Sequence, residues 1–184
     1  MNRMRMAMAW TVLAVALGCG GGGGGASSTP TPPSGPTAMA SGLHTLGLSV
    51  STAAGATVPV SGISITVQLP QGVTVATASG DPGAILDTAL SSGSAITGTA
   101  VVSGSHSAST RQSRLTVVHA PTVVWSGEYL RLKVTVPTGV TAYATDFTTL
   151  NATPVAYKAV GVDTTTHSTV VLSSQATSTL RVID

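Results

Sequence analysis

A period of two constrains this chain more than any other feature. In "GEYLRLKVTVP", residues 127 to 137, Leu130, Leu132, Val134 and Val136 alternate with Tyr129, Arg131, Lys133 and Thr135. In "ISITVQLPQGVTV", Ile63, Ile65, Val67 and Leu69 alternate with Ser64, Thr66 and Gln68. In "LHTLGLSV", Leu46, Leu48 and Val50 alternate with Thr45, Gly47 and Ser49. Successive side chains of a strand point to opposite faces, so each stretch predicts a strand with one apolar side. Further candidates are Thr99 to Ser103, Arg114 to His119, Pro154 to Val162, Ser168 to Leu172 and Ser178 to Ile183. Pro70 cannot donate to a ladder and is expected to end its strand before Val73 to Val75 resumes. Turn signals such as "SGDPG", "SSGS" and "PTG" separate several of these stretches. After residue 42, helical spacing is confined to "GAILDTALSS", Gly83 to Ser92. About eight or nine short strands in residues 42 to 184 predict an all-β, two-sheet sandwich.

Composition agrees with that class. Only 8% of residues are charged and 3% aromatic, against about a quarter charged in an average soluble domain. Thr, Ser, Gly, Ala and Val take their place. Disordered chains instead combine low hydrophobicity with high charge. The formal net charge is +2, but Arg3 and Arg5 precede Cys19, and without them six cations face six acids. A neutral chain without basic clusters has no electrostatic footprint for nucleic acid, which excludes that class of partner.

The N-terminus points to export. A basic "MNRMR" leads into an apolar run from Met6 to Leu17, too short for a membrane-spanning helix of about 20 residues but suited to a signal peptide. Gly18 then precedes Cys19, the only cysteine. The segment "VALGC" resembles the lipobox of bacterial lipoproteins, with Ala16 where that family usually has Leu. The resemblance implies a signal peptide over 1–18 and lipidation of Cys19. Gly20, rather than Asp, implies the outer membrane. Acyl chains contribute about 0.8 kcal/mol per buried CH₂, so two or more anchor stably. A sole cysteine also leaves the fold without an internal disulfide. Residues 19–41 read as a tether: six glycines, Gly20 to Gly25, then the stiffer "ASSTPTPPSGPT", together spanning roughly 25 Å as a flexible coil.

Three segments, "ISITVQLPQGVTVAT", "SGEYLRLKVTVP" and "FTTLNATPVAYKAVGVDTTT", resemble cohesin-like domains of bacterial surface lipoproteins. These belong with the carbohydrate-binding-module superfamily. The resemblance implies a nine-stranded jelly-roll, Greek-key sandwich over residues 42–184 and a non-catalytic binding role. In cellulosomal relatives one sheet face holds the dockerin module of an enzyme. Here "VQLPQG" stands where those cohesins have an "LSYDP"-type segment, so no dockerin-contact residue is carried over.

No catalytic signature competes with this reading. Glu128, Asp81, Asp87, Asp146, Asp163 and Asp184 show no glycosidase-like pair spacing. Glu128 reads as a charge at a frayed strand start. His44, His106, His119 and His167 lack metal-ligand spacing. Asp81 and Asp87 flank a turn and are the only candidates for a structural calcium, although no calcium loop is present. "SGSHSAS" brings His106 near hydroxyls without a G-x-S-x-G elbow, and the six glycines neither follow a strand nor open a helix. No catalytic residue, metal or cofactor is expected. Asn151-Ala152-Thr153 matches a glycosylation sequon, read as chance in a bacterial lipoprotein.

One candidate binding face remains. Tyr129, Arg131 and Lys133 are expected on the outer side of one strand, with Trp125 brought beside them by a bulge near Ser126-Gly127. Tyr, Trp and Arg dominate binding hot spots. Against this, outward charges also protect edge strands, with Trp125 then packed in the core, and the strand's apolar pattern favours that plainer reading. The expected partner is another exported protein, with the membrane engaged through the lipid anchor. Polysaccharide binding is the alternative, drawing at most on Trp125, Tyr129, Tyr143 and Tyr157, as is self-assembly into an envelope structure.

Overall fold

A computed structural model describes residues 35–120 and 124–184. The expected signal peptide, Cys19 and the glycine run lie outside the described residues. Twelve strands and one short helix follow in chain order. The strands are β1 (Gly42–Thr52), β2 (Val60–Gln68), β3 (Thr74–Val75), β4 (Thr77–Ala78), β5 (Asp81–Ile85), β6 (Leu90–Ser92), β7 (Thr99–Ser107), β8 (Gln112–Ala120) and β9 (Ser126–Val136). The helix α1 (Ala144–Leu150) precedes β10 (Ala156–Val162), β11 (Thr169–Val171) and β12 (Ala176–Val182). Eight strands have five residues or more; β3, β4, β6 and β11 are pieces of two or three.

Two antiparallel sheets form the expected sandwich. One has the order β12, β1, β9, with β3 and β6 sharing the far side of β9. The other runs β11, β10, β2, β8, β7, β5, β4. The period-two residues face inward. Leu46, Leu48, Val50, Leu130, Leu132, Val134 and Val136 meet Ile63, Ile65, Val67, Leu115 and Val117, each at most 2% exposed. Each such side chain contributes about 1.5–3 kcal/mol by leaving water, and this repeated burial holds the register.

Pro70 ends β2 as expected, and there the chain changes sheets. Val73 N–H closes the turn onto the Pro70 carbonyl, and β3 then pairs with β9. Gly72, at φ 81°, lies against Val140, which a Cβ would meet at 2.8 Å.

Three expectations change. Residues 83–92 form no helix: β5 and β6 lie in different sheets, joined by a turn in which Ala89 N–H donates to the Leu86 carbonyl. The apolar spacing of Ile85, Ala89 and Leu90 suits a helix and two strand ends equally. The open edge of β9 decides it, taking Leu90 opposite Leu132 and donating Lys133 N–H to the Ala89 carbonyl.

The helix instead lies at Ala144–Leu150, where Phe147 is its only buried residue and gives no period to read. Its signal is the cap, the Asp146 carboxylate accepting the Tyr143 N–H at 2.8 Å. The third change is at the start of the fold. Ala38 bridges Tyr143 and Met39 N–H donates to the Ala142 carbonyl, so the folded unit takes in residues from the expected tether.

Candidate binding face

The expected ridge is divided. β9 is not an edge strand, since β1 flanks it on one side and β6 and β3 on the other. Leu48 stands opposite Leu130 but Ser49 opposite Glu128, which makes Tyr129 the extra residue of a β-bulge. A bulge lets two consecutive side chains turn the same way, and Tyr129 follows Leu130 into the core with no exposed surface.

Its hydroxyl donates to the Val124 carbonyl at 2.9 Å, the geometry of a tyrosine corner. Val124 itself bridges Val60 of the other sheet, so this bond ties the chain where it crosses between layers. The ring lies 5.7 Å from the buried His119 ring, and burial raises the Tyr129 pKa, helped by Tyr157. Tyr129 therefore leaves the candidate face. Trp125, 42% exposed, sits at the crossing rather than in the core.

Arg131 and Lys133 do point outward from the five-stranded sheet. Arg131 Nε lies 2.6 Å from Glu128 Oε1, which also accepts the Ser94 N–H at 3.1 Å. Glu128 is thus no frayed charge. Its Oε2 lies over Gly47, 3.0 Å from where a Cβ would stand, and Gly47 has Arg131 and Arg181 as its two cross-strand neighbours.

The outer face of the seven-stranded sheet is different. Register places Val171, Val160, Gly62, Val118 and Val101 in one row across β11, β10, β2, β8 and β7. Val171 is 58% exposed, Val118 52% and Val101 70%. At strand spacings of about 4.8 Å the row is roughly 19 Å long. Gly62 makes its floor, since a Cβ there would meet Val160 at 3.3 Å and Val118 at 3.5 Å. The resulting groove, about 170 Å³, is bordered by Ser64, Thr116 and Lys158. Below it run Lys158, Ser64, Thr116 and Ser103, then Ala156, Thr66, Arg114 and Ser105. These rows hold two cations and no carboxylate.

This face went unread because its valines occupy the side opposite the core period. A signal was present. Val101-Val102, Val117-Val118 and Val170-Val171 are adjacent β-branched pairs, which make a strand apolar on both sides.

Several other polar groups serve local structure. Asp81 accepts from Gly83 N–H, and Asp184 accepts from Thr45 N–H while pairing with His44. The Thr165 and Thr166 N–H groups hold the Asp163 carboxyl below its usual pKa. Burial lowers the pKa of His106, whose Nδ1 is 3.0 Å from Ser113 Oγ. Burial likewise lowers the pKa of His119, with the Val60 backbone opposing the shift. Among the described residues, no three His, Cys, Asp or Glu side chains are grouped to hold a metal. Asn151 is 4% exposed and donates from Nδ2 to the Gln68 and Phe147 carbonyls, so the sequon is used inside the fold.

Comparison with protein families, with characterised proteins and with solved structures finds no match for this chain. No helix among the described residues is long and apolar enough to cross a membrane.

Proposed function

We propose that this chain is a non-catalytic, lipid-anchored protein of the cell envelope whose sandwich binds another exported protein through the outer face of the seven-stranded sheet. The observation that carries the reading is the valine row, exposed beside Arg114 and Lys158 with no carboxylate among its rows. Such a face suits an apolar protein surface rimmed by acidic side chains. The non-catalytic part is supported by five of the six acids, Asp81, Glu128, Asp146, Asp163 and Asp184, each engaged in local hydrogen bonds. A glycan platform has less support, since Tyr129 is buried and Tyr143 and Tyr157 are half-buried, leaving Trp125 exposed alone at the sheet crossing.

β1 begins at one end of the sandwich, and the row lies towards the end where β1 finishes and β2 starts. A chain anchored at Cys19 joins the fold at the first end, which leaves the row at the other. The anchor is tested by palmitate labelling of the intact chain, expected to disappear with Cys19→Ser. Binding is tested by capture from envelope and secreted fractions of its own organism. A protein retained by the native chain and lost with Val118→Asp supports the reading; a protein retained equally by both baits refutes this face.

A further inference from the structure

Sheet edges carry unpaired backbone groups, and folded proteins shield them by shortness, charge, proline or a covering element. Most edges of this sandwich are shielded in those ways. The helix α1 lies against β12, with Thr148 Oγ1 donating to the Leu180 carbonyl. The strands β3, β4, β6 and β11 have two or three residues each.

β7 differs. All nine of its residues pair with β8, but on its other side β5 is in register only at Ser105. Thr99 to Ser103 have no paired strand on that side among the described residues. The segment reads TAVVS, with no charge and no proline. It contains Val101, at 70% the most exposed of the large apolar side chains described, and the valine row ends on that residue.

We propose that this edge pairs with the same edge of a second copy, antiparallel about a two-fold axis at Val101. The segment is self-complementary under that operation. Thr99 then faces Ser103 and Ala100 faces Val102 of the other copy, with no like charges opposed. The pairing satisfies free backbone groups on both molecules by strand addition. It also lays the valine row of one copy end to end with that of the other. An isologous contact of this kind closes on itself and gives a dimer rather than a fibre. The inference does not depend on the exported partner proposed above.

The test uses the full chain carrying Cys19→Ser, which removes the only native thiol. With Val101→Cys added, mild oxidation is expected to give a disulfide-linked dimer. Val160→Cys, three strands and roughly 14 Å further in, is expected to give none. In sedimentation, Val101→Lys is expected to weaken the dimer by about tenfold or more through opposed charges. Val171→Lys, at the other end of the same row, is expected to leave it unchanged. Far-UV circular dichroism checks that each variant is folded, and substitution at such exposed positions perturbs the monomer little. A chain that sediments only as monomer overturns the proposal. So does a dimer that Val101→Lys leaves intact, or one cross-linked equally well through Val160→Cys.

Discussion

The two outer faces of the sandwich solve the same problem in different ways. On the five-stranded sheet, Arg131, Lys133 and Arg181 face solvent, and Glu128 lies over Gly47 with Arg131 as its ion-pair partner. On the seven-stranded sheet, the rows through Gly62, Ser64 and Thr66 present valines and hydroxyls with two cations and no carboxylate. The first face pairs one of its cations within the molecule, Arg131 with Glu128; the second pairs neither of its two among the described residues and adds exposed apolar area. Charge on a strand is therefore a poor guide to recognition in this chain. Exposed β-branched residues opposite the core period are the better one, because an apolar row facing water is the arrangement a fold does not need for itself.

The largest test of that contrast lies within one strand. Tyr129→Ala is expected to destabilise the fold by about 3–5 kcal/mol, as loss of a buried aromatic does. Arg131→Ala, two residues away, is expected to cost at most about 1 kcal/mol, as for an exposed ion pair. Urea unfolding of both variants checks the ratio. Similar small losses would return Tyr129 to the surface and restore the ridge. Tyr129→Phe should fall between them, at about 1–2 kcal/mol, since it leaves the Val124 carbonyl without its donor.

Binding gives the next effect. Val118→Asp is expected to weaken capture of an exported partner by about a hundredfold, the scale of a central hot spot. Lys133→Asp, on the other face, should leave it unchanged. If Lys133→Asp instead abolished capture, the charged face would be the recognition surface and the comparison would reverse. A smaller change separates the two glycines that floor these faces. Gly47→Ala meets Glu128 Oε2 and Ile183 Cγ2 at 3.0 Å, whereas Gly62→Ala has its nearest contacts at 3.3 Å. Thermal unfolding should show the larger loss for Gly47→Ala, about 1–2 kcal/mol, from crowding.

Much of the fold was legible because the two-residue period is a direct image of burial. Every apolar position named in β1, β2 and β9 lies inside. What escaped was decided by partners distant in sequence. Tyr129 obeys the polar period of its strand, yet a bulge set by the register with β1 turns it inward. Residues 83–92 could not announce that two sheets would divide them. The candidate face was hidden by the same logic that revealed the core, since Ser64 and Thr66 read as a solvent side. Only pairing brings Gly62 between Val118 and Val160.

The smallest effect concerns two histidines at opposite extremes of exposure to partners. His44 donates from Nε2 to the Ala40 carbonyl and from Nδ1 to the Asp184 carboxylate, and these bonds raise its pKa. A raised folded pKa adds stability that is complete below the ordinary value near 6.5 and is lost as pH rises through the folded value. Burial lowers the pKa of His119, with the opposite result: its contribution is complete above about 6.5 and is lost as pH falls from there towards the folded value. The two slopes oppose one another in the intact chain. His119→Phe keeps a ring beside Tyr129 but takes up no proton, so its melting temperature should fall less than that of the native chain between neutral and mildly acid pH. His44→Gln should fall more over the same interval, because the stabilising proton is gone. His106 is lowered by burial as well, so the series is best repeated with His106→Gln throughout. Parallel melting curves for the native chain and His119→Phe would mean that the imbalance between the two histidines does not reach the stability of the fold.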